Sequence, residues 1–256
     1  TDITLVGRDQ SFEPVVTFAI NHSDGVTAVS ESLKLDTYKN FMIDKEIEVI
    51  HNFIDLDRFS KKPKDHFKKA IAPHDEKLIV HTSNFRKVKR VEDVVKVFAR
   101  VVEEIPSKLL LIGDGPERPA IEKLCRELKH CDDIRFLGKQ EAIEEVLSVC
   151  DLFIMPSETE SFGLAALEAM ACQVPVISTD TGGMPELNVH GETGFLSKVG
   201  DVDDMATNAL KLLKDDELHA SFKTNALRQA SQFDIKVIMP RYENYYLKVL
   251  DRQLIS

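Results

Sequence analysis

The chain has 256 residues, 43% of them apolar, and a formal net charge of −10. That length suits one large domain or one and a half ordinary ones, and the apolar share excludes a disordered chain. The acidic balance argues against a general nucleic-acid binder, and no run approaches the roughly twenty apolar residues of a membrane-crossing helix.

No signal peptide is visible, and a chain that starts at Thr1 rather than Met is expected to be a fragment or a processed piece. Cys125, Cys131, Cys150 and Cys172 form no CxxC pair, so they are expected to be reduced core thiols of a cytoplasmic protein rather than zinc ligands.

In chain order, residues 18–20 and 26–29 (VTAV) read as the end of an α/β unit. Residues 51–55 (HNFID) precede a charged stretch, 61–69 with Pro63, that reads as a crossover between domains. A regular alternation follows. Residues 78–81 are a strand, and 91–105 a helix with Val94, Val95, Phe98, Val101 and Val102 on one face. Residues 108–112 (KLLLI) are a buried strand, and 117–130 a helix carrying Ile121, Leu124 and Leu128. Next come strand 134–137, helix 142–149, strand 152–155, helix 163–172, strand 175–178 and helix 204–213. Apolar strands without polar alternation, interleaved with helices, predict a parallel α/β sheet covered on both faces, with ligands at the strands' carboxyl ends. A last helix, 238–250, carries Tyr242, Tyr245 and Tyr246, whose aromatic face is expected at a domain edge.

Three loops follow strands of this sheet. Residues 82–90 (TSNFRKVKR) place Arg86, Lys87, Lys89 and Arg90 within five positions, which suits a di-anionic ligand or a solvated loop. Gly113-Asp114-Gly115-Pro116 follows KLLLI and permits close backbone approach. Arg118 stands where a dinucleotide fingerprint needs its third glycine, so NAD is discounted and a plain turn stays open. Residues 156–162 lead into a helix at Gly163, whose exposed N–H groups form an anion site.

Two carboxylates flank that helix start. Glu168 shares a helical face with Leu164 and Ala171, where a carboxylate is costly unless hydrogen-bonded, and a sugar diol would satisfy it. Glu160 lies before the helix, within reach of whatever the phosphates carry. A loop acid and a partly exposed helix residue are the plain alternatives.

The pattern Glu160-Ser-Phe-Gly…Glu168 resembles retaining GT-B glycosyltransferases of family 4, as do Gly113 to Pro116, Gly182-Gly183-x-x-Glu186 and residues 190–195 (HGETGF). Residues 83–90, 51–55, 1–4 (TDIT) and 26–30 (VTAVS) are similar to the branch of that family that starts bacillithiol biosynthesis. The resemblance covers essentially the whole chain.

It implies two Rossmann-like domains with the active site between them. Residues 1–52 would end the N-terminal, acceptor domain, 53–235 would be the UDP-sugar donor domain, and 236–256 a helix returning to the first. An acceptor-facing glycine-rich loop and a histidine–glycine pair would precede Thr1. By the same resemblance Glu168 holds the ribose and Glu160 the donor sugar. Phe162, Gly163 and Leu164 offer backbone amides, and Lys89 neutralises the phosphates; Lys89 and Glu160 are the catalytic candidates. Ser83, Asn84, Arg86, Gly113 and Gly115 complete the donor site, with Leu137 and Lys139 at the uracil. Asn84 stands where the family has an arginine, with Arg86 as a candidate replacement. Gln173 stands where it has a glycine.

The implied activity is retaining transfer of N-acetylglucosamine from UDP-N-acetylglucosamine to L-malate, in the cytoplasm. No cofactor or metal is implied. The implied partners are a nucleotide sugar and a small carboxylic acid, with no nucleic acid, and a homo-oligomer is left open. A family 4 enzyme with another sugar or acceptor, and a UDP-sugar-binding module without turnover, are the alternatives.

Overall fold

The computed structural model describes residues 9, 11–62 and 65–255, so the TDIT segment and Pro63 lie outside the described residues. The first described elements are helix α1 (Glu13–Asn21), strand β1 (Val26–Ala28), helix α2 (Glu31–Asn40) and strand β2 (Ile47–Val49). Strands β1 and β2 pair in parallel as a two-stranded sheet. Residues 18–20 thus lie in a helix and 26–28 in a strand. Ser30 starts α2 as its N-cap, its Oγ accepting from the Leu33 N–H at 3.0 Å.

The charged stretch expected as a crossover, 61–69, overlaps helix α3 (Asp65–Ile71). Beyond it the chain alternates: β3 (Lys77–Ser83), α4 (Val91–Val102), β4 (Ser107–Gly113), α5 (Arg118–Glu127), β5 (Ile134–Gly138), α6 (Ile143–Leu147), β6 (Leu152–Met155), α7 (Leu164–Ala171), β7 (Val176–Thr179), α8 (Met184–Leu187) and β8 (Gly194–Ser197). Helices α9 (Val202–Lys214), α10 (Asp216–Ala230) and α11 (Ile235–Ile255) follow.

Strands β3 to β8 form one parallel sheet in the order β5-β4-β3-β6-β7-β8. The chain winds outward from β3 through β4 and β5. It then returns to the other side of β3 as β6. The crevice where the winding reverses lies between the loops that leave β3 and β6, the place where such sheets take ligands.

The uninterrupted apolar strands have a plain cause. Leu78, Val80, Leu110, Phe153 and Val176 face one buried layer, with Leu167 and Met170 of α7 and Ala226 of α10. Ile79, Leu109, Leu111, Ile154 and Ile177 face the other, with Val94, Val95 and Phe98 of α4, Ile121 of α5 and Ala209 of α9. Neither face meets water, so no polar alternation is required. Helix α4 stops at Val102, short of the expected 105, as Pro106 disfavours helical geometry in the residue before it.

One charge sits deep at the amino end of the sheet. Asp151 is 5% exposed; its carboxylate accepts from the Leu78 N–H at 2.9 Å and pairs with Lys68 at 3.1 Å and Lys223 at 3.8 Å. Helix α11 ties the six-stranded sheet's unit to the small one. The Tyr245 hydroxyl donates to the Val26 carbonyl and the Tyr242 hydroxyl to the Ile50 carbonyl. Tyr246, expected on the same packed face, is instead 61% exposed, with its ring 6.3 Å from that of Tyr242.

Gln173 follows α7 with φ at +60°, its N–H bonded to the Met170 carbonyl and that of Val174 to the Ala169 carbonyl. The helix therefore ends in a left-handed residue, the position that glycine occupies without steric cost. Gln173→Gly is expected to stabilise the protein by about 0.5–1 kcal/mol, the relieved left-handed strain exceeding the entropy added to the unfolded chain. Urea unfolding at constant slope checks this; an unchanged or lower midpoint would show that the strain is not relieved.

Candidate active site

The loop leaving β3 is fixed by a buried histidine. His81 is fully buried, and burial pushes its pKa down to about 4, so the ring is neutral. Its Nδ1 lies 2.8 Å from the Ile154 carbonyl, which can only accept, so Nδ1 carries the proton. Nε2 then accepts from the Ser83 hydroxyl at 2.8 Å, and Ser83 Oγ in turn accepts from the Phe85 N–H at 3.3 Å. Phe85 is buried with φ at +38°, a backbone reversal that this relay and the packed ring hold in place.

The glycines after β4 serve the same loop. A Cβ on Gly113 would lie 1.8 Å from the Ser83 carbonyl oxygen, and one on Gly115 would lie 2.0 Å from that of Asn84. These glycines let two backbones touch, and neither lines the cavity described below.

The four clustered cations separate. Arg90 binds Asp93 at 2.6 Å and Glu158 at 3.2 Å, so it serves the start of α4 and the neighbouring loop. Lys89 reaches across the crevice, its Nζ 2.5 Å from Oε1 of Glu160. Arg86 is exposed and forms no ion pair among the described residues.

Glu160 lies in the loop between β6 and α7 and is only 7% exposed. Its Oε1 also accepts from the Ser157 hydroxyl at 2.8 Å. Its carbonyl accepts from the Gly183 N–H at 2.8 Å, and Gly182 and Gly183 are bare where a Cβ would strike the carbonyl oxygens of Glu160 and Ser161. The loop ends at Gly163, with φ at +96° and Met184 Sδ 2.4 Å from where a Cβ would stand. No side chain caps α7, and the Ala166 and Leu167 N–H groups both turn back to the Gly163 carbonyl. The N–H groups of Leu164 and Ala165 have no partner within the helix, and the helix dipole adds to their pull on an anion.

A cavity of about 350 Å³ opens at this place. Ser83, Asn84, Lys89, Glu160, Phe162, Gly163 and Leu164 line it, seven of the residues singled out from the sequence, together with Asn52, Thr82, Met155, Ser161 and Ala165. Arg86, Gly113, Gly115, Leu137, Lys139 and Glu168 lie outside that lining. Leu137 and Lys139 sit at the carboxyl end of β5, where the Leu137 carbonyl accepts from Gln140 Nε2 at 2.5 Å.

Glu168 is half-buried on α7, and its carboxylate has no hydrogen bond or ion pair among the described residues. Burial pushes its carboxyl up to about 7, with nearby Glu144 adding to the rise and Arg58 opposing it. Arg58 is itself engaged by Glu144 at 3.2 Å. Glu168 therefore holds acceptor capacity that the described residues leave unused.

Glu186 of the Gly-Gly-x-x-Glu motif takes a different part. Its two carboxylate oxygens accept from the N–H groups of Glu31 and Ser32 at 2.9 and 2.8 Å, capping α2 from the other unit. Among the described residues no group of three His, Cys, Asp or Glu side chains is placed to hold a metal ion, and no helix is long and apolar enough to cross a membrane.

Residues 62–229 match the family described as glycosyl transferases group 1. N-acetyl-alpha-D-glucosaminyl L-malate synthase of Bacillus anthracis is 46% identical over 252 residues, covering 98% of this chain and 66% of that protein. The 2-deoxystreptamine N-acetyl-D-glucosaminyltransferase of Niallia circulans is 32% identical over 58% of this chain and 40% of its own length. The chain thus spans less than two thirds of the length of these relatives. A crystal structure of Anabaena HepE in complex with UDP and glucose superposes with a TM-score of 0.89 at 23% identity, covering 96% of this chain and 70% of that one. That likeness shows the GT-B fold.

Because the carboxyl of Glu168 is raised in the folded state, its ionisation costs stability. The loss begins near the unfolded carboxylate value, grows as pH rises, and is complete above about 7. Glu168→Gln is expected to raise the melting temperature at pH 8 and leave it unchanged at pH 4. The gain is at most about 3 kcal/mol at about 1.4 kcal/mol per unit, reduced by the solvent access of a half-buried group. Thermal melts at the two pH values check this, and an equal shift at both would remove the ionisation from the account.

Proposed function

The chain belongs to the glycosyl transferases group 1, and from that premise we propose that the protein transfers N-acetylglucosamine from UDP-N-acetylglucosamine to L-malate with retention at the anomeric carbon. The observation that carries the donor chemistry is the meeting of Lys89, the open N-terminus of α7 and Glu160 around one cavity. The choice of sugar and acceptor is supported by the relative that is 46% identical over 98% of the chain.

In this reading the diphosphate lies against the Leu164 and Ala165 N–H groups and the Lys89 ammonium. The sugar reaches Glu160, and the ribose diol meets the unused oxygens of Glu168. The uracil lies beside the backbone at Leu137 and Lys139, and Arg86 supplies a further cation at the rim. Residues 53–235 form the donor half. Residues 1–52 and 236–256 belong to the acceptor half. The reading includes a cytoplasmic location, with which four free thiols accord.

The reaction breaks the bond between the anomeric carbon and the diphosphate oxygen. The malate hydroxyl oxygen attacks the same face, and the departing phosphate oxygen takes the hydroxyl proton. The protein then has two tasks: to hold donor and acceptor in register, and to stabilise the charge gathering on UDP. Lys89 serves the second through its ammonium. Its ion pair with Glu160 keeps that ammonium at the crevice before the donor arrives.

Calorimetric titration with UDP-N-acetylglucosamine, UDP-glucose, ADP-glucose and UDP tests the reading. Preference for the first is expected. Glu168→Ala is expected to weaken every uridine ligand by about 10–100-fold, the worth of a hydrogen bond to a charged group, while Glu160→Ala spares UDP and erases the preference among sugars. No binding of any uridine ligand to the wild type, or equal losses of UDP from both substitutions, would overturn this assignment.

A further inference from the structure

The two donors that reach Glu160 converge on the same oxygen. Lys89 Nζ lies 2.5 Å and Ser157 Oγ 2.8 Å from Oε1. Oε2 accepts no hydrogen bond among the described residues. It is also not a sealed, unsatisfied atom, since among the described residues that condition holds only for Thr82 Oγ1. Glu160 lines the cavity, so Oε2 is the oxygen left to face it.

The two donors differ in what else they can do. Lys89 lines the cavity and keeps further N–H groups for an anionic ligand. Ser157 is fully buried behind the carboxylate and lies outside the cavity lining. Its one hydroxyl proton is committed to Oε1. Its backbone is anchored separately, because its carbonyl accepts from the buried Thr179 hydroxyl at the end of β7 at 2.6 Å. When a diphosphate draws the Lys89 ammonium toward itself, Ser157 is the donor that stays on Oε1.

We propose that Ser157 is a positioning residue, holding Oε1 of Glu160 so that Oε2 stays turned to the cavity as the acceptor for a hydroxyl of the bound sugar. Ser157 then governs discrimination among donor sugars and leaves nucleotide affinity alone. This rests on the donor-site reading above.

The test measures UDP, UDP-N-acetylglucosamine and UDP-glucose binding to the full-length protein by calorimetry. The variants are Ser157→Ala, Ser157→Thr, Glu160→Gln and the Ser157→Ala/Glu160→Gln double substitution. Ser157→Ala is expected to keep UDP affinity within about twofold and to lower the preference for the favoured sugar about tenfold, the effect of one hydrogen bond to a charged group. Ser157→Thr, which keeps the hydroxyl, is expected to restore it. In the Glu160→Gln background Ser157→Ala is expected to change the preference no further, because its effect passes through the carboxylate. Full preference retained by Ser157→Ala would overturn the proposal. So would parallel losses of UDP and sugar affinity, or an undiminished Ser157→Ala effect in the Glu160→Gln background. If Ser157→Ala does not fold, Ser157→Cys, a weak donor of similar size, is judged by the same criteria. A wild type that binds no uridine ligand would sink the donor-site reading itself, a result separate from any of these.

Discussion

A carboxylate only 7% exposed is tolerated when it is paired and hydrogen-bonded, and the geometry of the crevice follows from satisfying Glu160. Its ammonium partner comes from the loop after β3 and its hydroxyl partner from the loop after β6. The two loops must therefore lie opposite each other. The reversal of strand order between β3 and β6 places them so. The glycines are then consequences. Gly113 and Gly115 admit the β3 loop against the β4 loop, while Gly182 and Gly183 admit the β6 loop against the β7 loop. Each contact is between backbones, and a single Cβ would separate them.

Glu160 and Glu168 show two outcomes for one residue type. Glu160 is fully employed on one oxygen and has one to offer. The Glu168 carboxylate forms no hydrogen bond or ion pair among the described residues, and burial raises it to about 7. In the proposed donor site, a ligand with paired hydroxyls would offset the cost of that half-buried carboxyl.

The sheet was legible because its strands are short apolar runs between turn signals, and all five expected from residue 78 onward are present. What escaped has weaker signals. Strand β8 is four residues beginning with Gly194, at the sheet edge. Helix α10 buries only His219, Phe222, Ala226 and Ala230, a stripe with one large apolar residue that does not read as a core face. In the site, Lys89 and Glu160 could each be singled out as candidates, but not that they pair, since 71 positions separate them along the chain. Ser157 stands out in the sequence only as a departure from leucine-like residues of similar proteins, which does not show that its hydroxyl bonds Glu160. Its part depends on a direction of approach that only the folded chain has. Arg90 shows the converse: a cation in a basic run whose charge goes to Asp93 and Glu158.

The same loop also carries the connection between the two sheets. Ser30 donates to the Ser161 carbonyl at 2.6 Å while capping α2, and Glu186 caps that helix from the other side of the contact. His51 adds a ring beside Phe162 and Phe233 and approaches Glu186 at 3.4 Å. Residues 160–162 thus touch three things at once: the cavity through Glu160, the neighbouring α7–α8 layer through Phe162, and the small unit through the Ser161 carbonyl. A shift of the small sheet against the large one has to move the Ser161 carbonyl or break the Ser30 hydrogen bond. The adjacent carbonyls of Glu160 and Ser161 thus join the cavity loop to the loop after β7 and to the small unit.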